Sequence, residues 1–367
     1  MSHNPTSITI TNKAVPSVTA TGGPLLFPPV FQMAAGYDSL IYDGVLVKFE
    51  NLVNNIYFMP NNPEVTTLNF DDLKAVTTFA TPNAGLALLD ISLTTINFTQ
   101  LLYAGSITIV NTLVKCNFPA LKYATTLLYT NVPTAQTTMD FPELEYVGRF
   151  QSTASGGVTT FNFPKLKKIY TEGFAVSNSL ATILSFPELV SAAGNPTSIL
   201  LNSNNLLTTL DCPKLVAAGQ FSMVSNTLLS TINLPLLVSC TGFNIPGGTM
   251  PALTSLSFPS LTTIQCATSG QPFNIASGSA ANLTTISFPN LKSLGNTGNF
   301  SCSGAKLNQT TVDHILVKIA AMDGTGGTTT FSSRSISLNG GTNSTPSATG
   351  LAAKATLVAR GCTVLNN

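Results

Sequence analysis

The sequence predicts a mainly β protein, a parallel β-helix of about eleven coils ended by a small C-terminal αβαβ cap. Three observations carry this. The stretch "LTSLSFPSLTTI" (253–264) returns thirty residues later as "LTTISFPNLKSL" (283–294). The pattern L-x-x-L-x-F-P-x-L-x-x-I recurs through most of the chain at steps mostly of about 20 to 24 residues. Its last sixty residues abandon the pattern for helical spacing. A catalytic site needs unusual residues placed once; a repeat of this kind needs one shape placed many times, so that each coil buries its apolar side on its neighbours.

Residues 1–44 lack the repeat. "SITITNKAVPSVTATGGPLLFPPVF" (7–31) holds one candidate strand and then a Pro- and Gly-rich segment, readable as a cap, an arm or an anchor. The first 37 residues carry a single Lys or acidic side chain, Lys13, beside the apolar set Leu25, Leu26, Phe27, Val30 and Phe31. Those five are the candidate anchor. "MSHNPTSITI" has neither a basic start nor an apolar core, so no secretory signal is expected.

Residues 45–303 form the predicted solenoid. Its units run from "FENL" (49–52) and "FDDL" (70–73) through "FPAL" (118–121), "FPEL" (141–144), "FPKL" (163–166), "FPEL" (186–189), "CPKL" (212–215) and "LPLL" (234–237) to "FPSL" (258–261) and "FPNL" (288–291). Three steps are longer and imply loop insertions. Proline after the phenylalanine donates no N–H, which suits a strand end and a turn. A second element, "FAV" (174–176), "FSM" (221–223), "FNI" (243–245 and 273–275) and "FSC" (300–302), precedes the next L-x-x-L. Asn178 and Asn226 follow this element, where an Asn can bond backbone at a turn. A coil of about 22 residues filled in this way is expected to hold three short strands and has no room for a ten-residue helix.

Residues 304–367 read differently. "TTVDHILVKIAAM" (310–322) places Val312, Ile315, Leu316 and Ile319 at helical spacing, with Thr310 and Asp313 resembling a capping box and Gly324 as a stop. "SISL" (335–338) predicts a strand, "NGGT" a turn, "SATGLAAKATLVAR" (347–360) a second helix ended by Gly361, and "CTVL" (362–365) a last strand. This unit is expected to cover the open end of the solenoid and its strand edges.

Two resemblances attach to these stretches. The repeat, "NTLLSTINLPLLVSC" (226–240) most closely, resembles the receptor L-domain, a relative of leucine-rich repeats, over about 255 residues. The resemblance implies a right-handed β-helix and a domain that binds rather than catalyses. The ending "SLNGGTNSTPSATGLAAKATLVARGCTV" resembles a terminal segment of tailed-bacteriophage structural and tail-associated proteins, with Cys362 standing where that segment usually has Trp. It implies a phage origin and a place in the virion.

The composition narrows the chemistry. Charged residues are only 8% and the formal net charge is +1, which leaves no basic surplus for nucleic acid. Mean hydropathy is +0.30, yet no apolar run approaches the roughly 18 residues of a membrane span. There are two histidines. His314 adjoins Asp313 on the predicted helix, but adjacent helical residues do not face each other, so a catalytic pair is not expected and an exposed or cap-packing histidine is. Asp140, Glu143 and Glu145 cluster in one unit, and Lys165, Lys167 and Lys168 in the next, as a surface charge ladder. Of six cysteines, none in a C-x-x-C pair, four fall in core slots: Cys116 for a Leu, Cys212 for the Phe, Cys240 for the Ile and Cys302 for the Ile of the "FNI" element. Neighbouring threonines ("LTT", "VTT") are expected on opposite sides of a strand, which argues against an ice-binding T-x-T array. No phosphate loop, dinucleotide fingerprint, zinc motif or nucleophile elbow is present.

The expectation is therefore a non-enzymatic structural or adhesive virion protein of a tailed phage, in a tail fibre, appendage or head decoration. Its expected partners are other virion proteins and a host-surface glycan or protein, with a homo-oligomer also open. No catalytic, metal or cofactor residues are assigned. The competing readings are a bacterial cell-surface adhesin and, behind it, a β-helical glycan-cleaving spike.

Overall fold

Each Phe-Pro corner closes a four-residue turn. The leucine N–H of F-P-x-L reaches back to the phenylalanine carbonyl, as in Leu144 N to Phe141 O at 3.3 Å, Leu189 N to Phe186 O at 3.3 Å and Leu291 N to Phe288 O at 3.2 Å. Proline sits at the second position of the turn, where its fixed φ is already suited to the bend. The opposite corner closes in the same way: Leu207 N to Asn204 O at 3.1 Å, Leu229 N to Asn226 O at 3.1 Å and Leu283 N to Ala280 O at 3.0 Å. Two tight turns thus separate the two walls of a coil.

The computed structural model describes the backbone of residues 7–12, 15–21, 30–33, 39–42, 45–48, 52–57, 67–70, 74–80, 95–109, 115–130, 136–153, 155–247, 250–265, 272–276, 278–295 and 297–367. Within them the protein is mainly β, with parallel strands stacked as a β-solenoid and two helices. Residues Met1–Leu166 and Lys167–Asn367 form two units.

In the first unit a broad sheet runs Val30–Met33, Leu52–Tyr57, Ala75–Ala80, Tyr103–Ile109, Tyr123–Thr130 and Tyr146–Thr153. Its first pair is antiparallel and the next four are parallel. A narrow sheet begins with the antiparallel strands Ser7–Asn12 and Val15–Thr21. It continues through Thr67–Phe70, Thr95–Phe98 and Lys115–Asn117. Thr138–Asp140 and Thr160–Asn162 pair separately in parallel. Between the sheets the corner phenylalanines stack: ring centroids are 5.0 Å apart for Phe98 and Phe118, 6.0 Å for Phe118 and Phe141, and 5.3 Å for Phe141 and Phe163.

In the second unit the broad sheet is all parallel: Lys168–Ser177, Ser191–Asn202, Ala217–Val224, Gly242–Ile245, Phe273–Ile275, Phe300–Cys302, Ser335–Leu338 and Thr363–Asn366. The register places Phe174, Ile199, Phe221, Phe243, Phe273, Phe300, Ile336 and Val364 in one inward column. Narrow strands Ile183–Ser185, Thr209–Asp211 and Thr231–Asn233 pair in one group and Ser255–Ser257 with Thr285–Ser287 in another. Aromatic rings from the two walls meet edge to face, with Phe243 and Phe258 at 5.3 Å and Phe174 and Phe186 at 4.8 Å. Phe258 and Phe288 are buried on successive coils, in the inward positions their motif predicts.

The coils up to Ala217–Val224 have two strands in place of the expected three, and the next two coils have three. The L-x-x-I and F-x-I runs merge into one broad strand, such as Ala217–Val224. They separate only later, into Ser239–Cys240 with Gly242–Ile245 and into Thr263–Ile264 with Phe273–Ile275. Residues inserted after Ile264 account for the last separation.

The C-terminal unit has the expected order. Helix α1 is Gln309–Ala320 and helix α2 is Ala348–Ala359, each followed by a strand of the broad sheet. The α1 cap is not the Thr310–Asp313 box: Asn308 caps the helix by accepting from Thr311 N. Asp313 instead accepts from Ser347 N at 2.9 Å and from Ser347 Oγ at 2.5 Å, tying α1 to the N-cap of α2. Gly350 permits this approach, since a Cβ there would lie 2.1 Å from Asp313 Oδ1. The unit covers only part of the coil end. Helix α1 packs against the last narrow strand, whereas the broad sheet is lengthened by two strands.

Candidate functional site

The coils bring together columns of like side chains, one residue per coil. One column is internal. After the broad strand, Asn178, Ser203 and Ser225 take positive φ of 54° to 56°. That geometry turns the next residue, Ser179, Asn204 or Asn226, into the core. Asn204 Nδ2 donates to Val176 O at 3.0 Å, and Asn226 Nδ2 donates to Leu201 O at 2.9 Å and to Val224 O at 3.2 Å. Asn204 Oδ1 accepts from Ser179 N and Oγ at 3.0 and 2.7 Å, and Asn226 Oδ1 accepts from Asn204 N at 3.1 Å. Each amide satisfies the backbone at a turn that would otherwise bury unpaired groups. Asn226 thus does bond backbone as its place in the sequence suggested. Asn178, one step earlier in the coil, supplies the left-handed bend.

The outer columns are polar. On the narrow strands of the first unit Asn162 Nδ2 donates to Asp140 Oδ1 at 2.6 Å. In the second unit Asp211 accepts from Ser185 Oγ at 3.0 Å and from Asn233 Nδ2 at 2.7 Å. On the broad wall Asn274 Nδ2 donates to Asn244 Oδ1 at 2.8 Å. At the Phe-Pro corners the third motif residue pairs between coils: Lys165 with Glu143 and Lys214 with Glu188, each at 2.7 Å. The Lys165 bond holds the Glu143 carboxyl below its ordinary range. Of the charge ladder read from Asp140, Glu143, Lys165 and their neighbours, the Glu143–Lys165 pair is thus formed, and it is exposed, a setting in which such pairs add little stability.

Two threonine pairs, Thr208 with Thr209 and Thr262 with Thr263, do not point to opposite sides. Thr208 lies at the corner just before its strand. Its hydroxyl donates to Thr182 O at 2.9 Å and sits 3.4 Å from that of Thr209. Both are half-exposed. The strand alternation assumed from sequence begins one residue later.

Apolar side chains also line up outside. Leu180, Leu206 and Leu228 occupy one corner on successive coils, and Val190, Val216 and Val238 occupy another, all exposed.

Of the candidate anchor, Leu25, Leu26 and Phe27 lie outside the described residues, and Val30 and Phe31 stand on the strand Val30–Met33, whose backbone pairs antiparallel with Leu52–Tyr57. Cys116, Cys212, Cys240, Cys302 and Cys362 are free and buried. Cys116 aligns with Ile96, Cys240 with Ile264 and Cys302 with Ile275, as their sequence slots suggest. Burial pushes the Cys240 thiol up to about 12 and also raises the Cys116, Cys212 and Cys302 thiols, far from a reactive thiolate. Among the described residues no three His, Cys, Asp or Glu side chains gather as a metal site, and no helix is long and apolar enough to cross a membrane.

Three residues organise the C-terminal unit, and two of them, Asn343 and Arg334, carried no clear signal in sequence. Asn343 accepts from Leu307 N at 2.7 Å and donates to Cys302 O and Leu338 O, each at 2.9 Å. Arg334 donates to four carbonyls, of Leu294, Gly295, Thr297 and Gly298, with its guanidinium 4.0 Å from the Phe331 ring centroid. His314 Nε2 accepts the Phe288 N–H at 3.2 Å. Comparison with protein-family models, characterised proteins and solved structures finds no match for the chain.

Proposed function

We propose that this protein is a structural and adhesive component of a tailed-phage virion, whose coils present their outer columns to a host-surface glycan or a neighbouring virion protein. The observation that carries the adhesive part is the regular outer wall. Asn, Ser and Thr columns recur coil after coil, and charged side chains such as Glu143 and Lys165 neutralise one another. A surface of this kind offers hydrogen bonds at the spacing of β-strands, about 4.8 Å, and suits an extended, repetitive partner. The phage part rests on the resemblance of the C-terminal segment to tail-associated proteins.

In this reading Leu25, Leu26, Phe27, Val30 and Phe31 dock the chain onto its neighbour, because apolar residues in so uncharged a segment are costly to leave in water. The test is incorporation. Particles are purified from cells expressing the natural chain or a Leu25→Ser, Leu26→Ser, Phe27→Ser variant, and the bound protein is measured by mass spectrometry. The natural chain is expected in the particles at stoichiometric level and the variant is expected to fall at least tenfold. Absence of the natural chain from particles overturns the virion assignment. Full incorporation of the variant removes the anchor role and moves attachment to the coils.

A further inference from the structure

Four internal corners of the Phe-Pro type hand their first N–H to the next coil. Phe141 N donates to Asn162 O at 3.0 Å, Phe186 N to Asp211 O at 2.8 Å, Cys212 N to Asn233 O at 3.0 Å and Phe258 N to Ser287 O at 2.8 Å. Phe288 closes the last such corner, and among the described residues no following coil supplies a carbonyl. Its N–H is received by an imidazole nitrogen, His314 Nε2, at 3.2 Å. The His314 ring also lies against the Phe288 ring, with centroids 5.1 Å apart.

We infer that His314 is a pH-sensitive clasp: neutral, it closes the final corner by accepting the Phe288 N–H, and protonated, it releases helix α1 from the last coil. The chemistry is one of donor and acceptor. A neutral imidazole with its proton on Nδ1 has a lone pair at Nε2; the imidazolium has N–H at both positions and cannot accept. Protonation would set two donors facing each other and leave the Phe288 N–H unpaired.

The surroundings do not rescue the charged form. On α1 itself Lys318 follows one turn later and donates to Pro289 O, beside the same corner. Lys292 follows that corner in sequence. On α2, which packs against α1, the charged side chain is Lys354. The strand Thr285–Ser287 carries none. The neighbouring carboxylate, Asp313, is committed to Ser347 on the α2 side. Partial burial, with Lys318 adding to it, holds the His314 imidazole below its ordinary value of 6.5. A group depressed on folding binds more protons in the open state. Its contribution is therefore complete above about pH 6.5 and is lost as pH falls below that value.

The experiment is native-state amide exchange of Phe288 in the full chain between pH 7.5 and 5.0, expressed as an opening constant corrected for intrinsic exchange, together with NMR titration of the imidazoles. His3, the other histidine, is assigned with a His3→Asn control. The opening constant is expected to rise by up to about tenfold per pH unit below about 6.5. It should stay flat in His314→Gln, whose side-chain carbonyl accepts at every pH in this range. Equal pH dependence in the Gln variant, a flat natural chain, or a His314 titration at or above 6.5 would overturn the clasp. If the Gln variant does not fold, the titration of the natural chain decides alone.

Discussion

The coils of the second unit and the αβ segment that follows them solve the same bonding problem with different residues. In the coils, the group that satisfies a turn is another copy of the same turn. Asn226 does for Leu201 what Asn204 does for Val176, and Asp211 O does for Phe186 what Ser287 O does for Phe258. In the C-terminal segment the copies run out and single residues stand in. Asn343 takes the Cys302 carbonyl, and His314 takes the Phe288 N–H. A repeated bond depends on its neighbours and shares their stability. A stand-in bond depends on one side chain, and so can be lost or titrated alone.

The largest effect expected from breaking this comparison comes from placing an unpaired charge in each region. Phe258→Asp buries a carboxylate between coils with no partner, a cost of several kcal/mol, and should abolish cooperative folding. Leu357→Asp, at an equally buried site of α2, should instead unfold the αβ segment while the coils keep a cooperative melt and their far-ultraviolet β signal. Equal collapse in both variants would show that the segment and the coils are one cooperative block.

A smaller contrast separates the two asparagines. Asn204→Ala leaves Ser179 N, Ser179 Oγ and Val176 O without this partner, and should cost roughly 3 kcal/mol of global stability in denaturant unfolding. Asn343→Ala removes three side-chain bonds to backbone. Its effect should appear in amide exchange of residues 303–344, with little change in the main unfolding midpoint. A global loss from Asn343→Ala equal to that from Asn204→Ala would erase the distinction between repeated and stand-in bonds.

The smallest effect is expected on the outside. Glu143→Gln removes an exposed pair with Lys165. Solvent and salt already screen it, so Tm should not change measurably. A clear drop would mean that the outer columns, as well as the Phe and Asn columns, hold the coils together.

Much of the fold could be read from spacing alone, because a solenoid repeats its causes. Phenylalanine and leucine at fixed intervals must be buried on their own copies, and Pro after Phe must turn the chain. Cysteines at Phe, Leu and Ile slots must behave as those residues do. The helices, the strand at Ser335–Leu338 and the stop at Gly361 followed from local preference, which is a short-range property of the chain. The tertiary structure decided what depends on residues far apart in sequence. Whether L-x-x-I and F-x-I are one strand or two depends on the neighbouring coil they pair with. Asp313 looked like a local cap but is claimed by Ser347, 34 residues away, because Asn308 already serves α1. His314 looked like an incidental helix residue until the chain brought it to a corner with no next coil. Repetition makes the interior of this protein legible from its sequence; the ends of the repeat are settled by whichever distant side chain arrives to complete them.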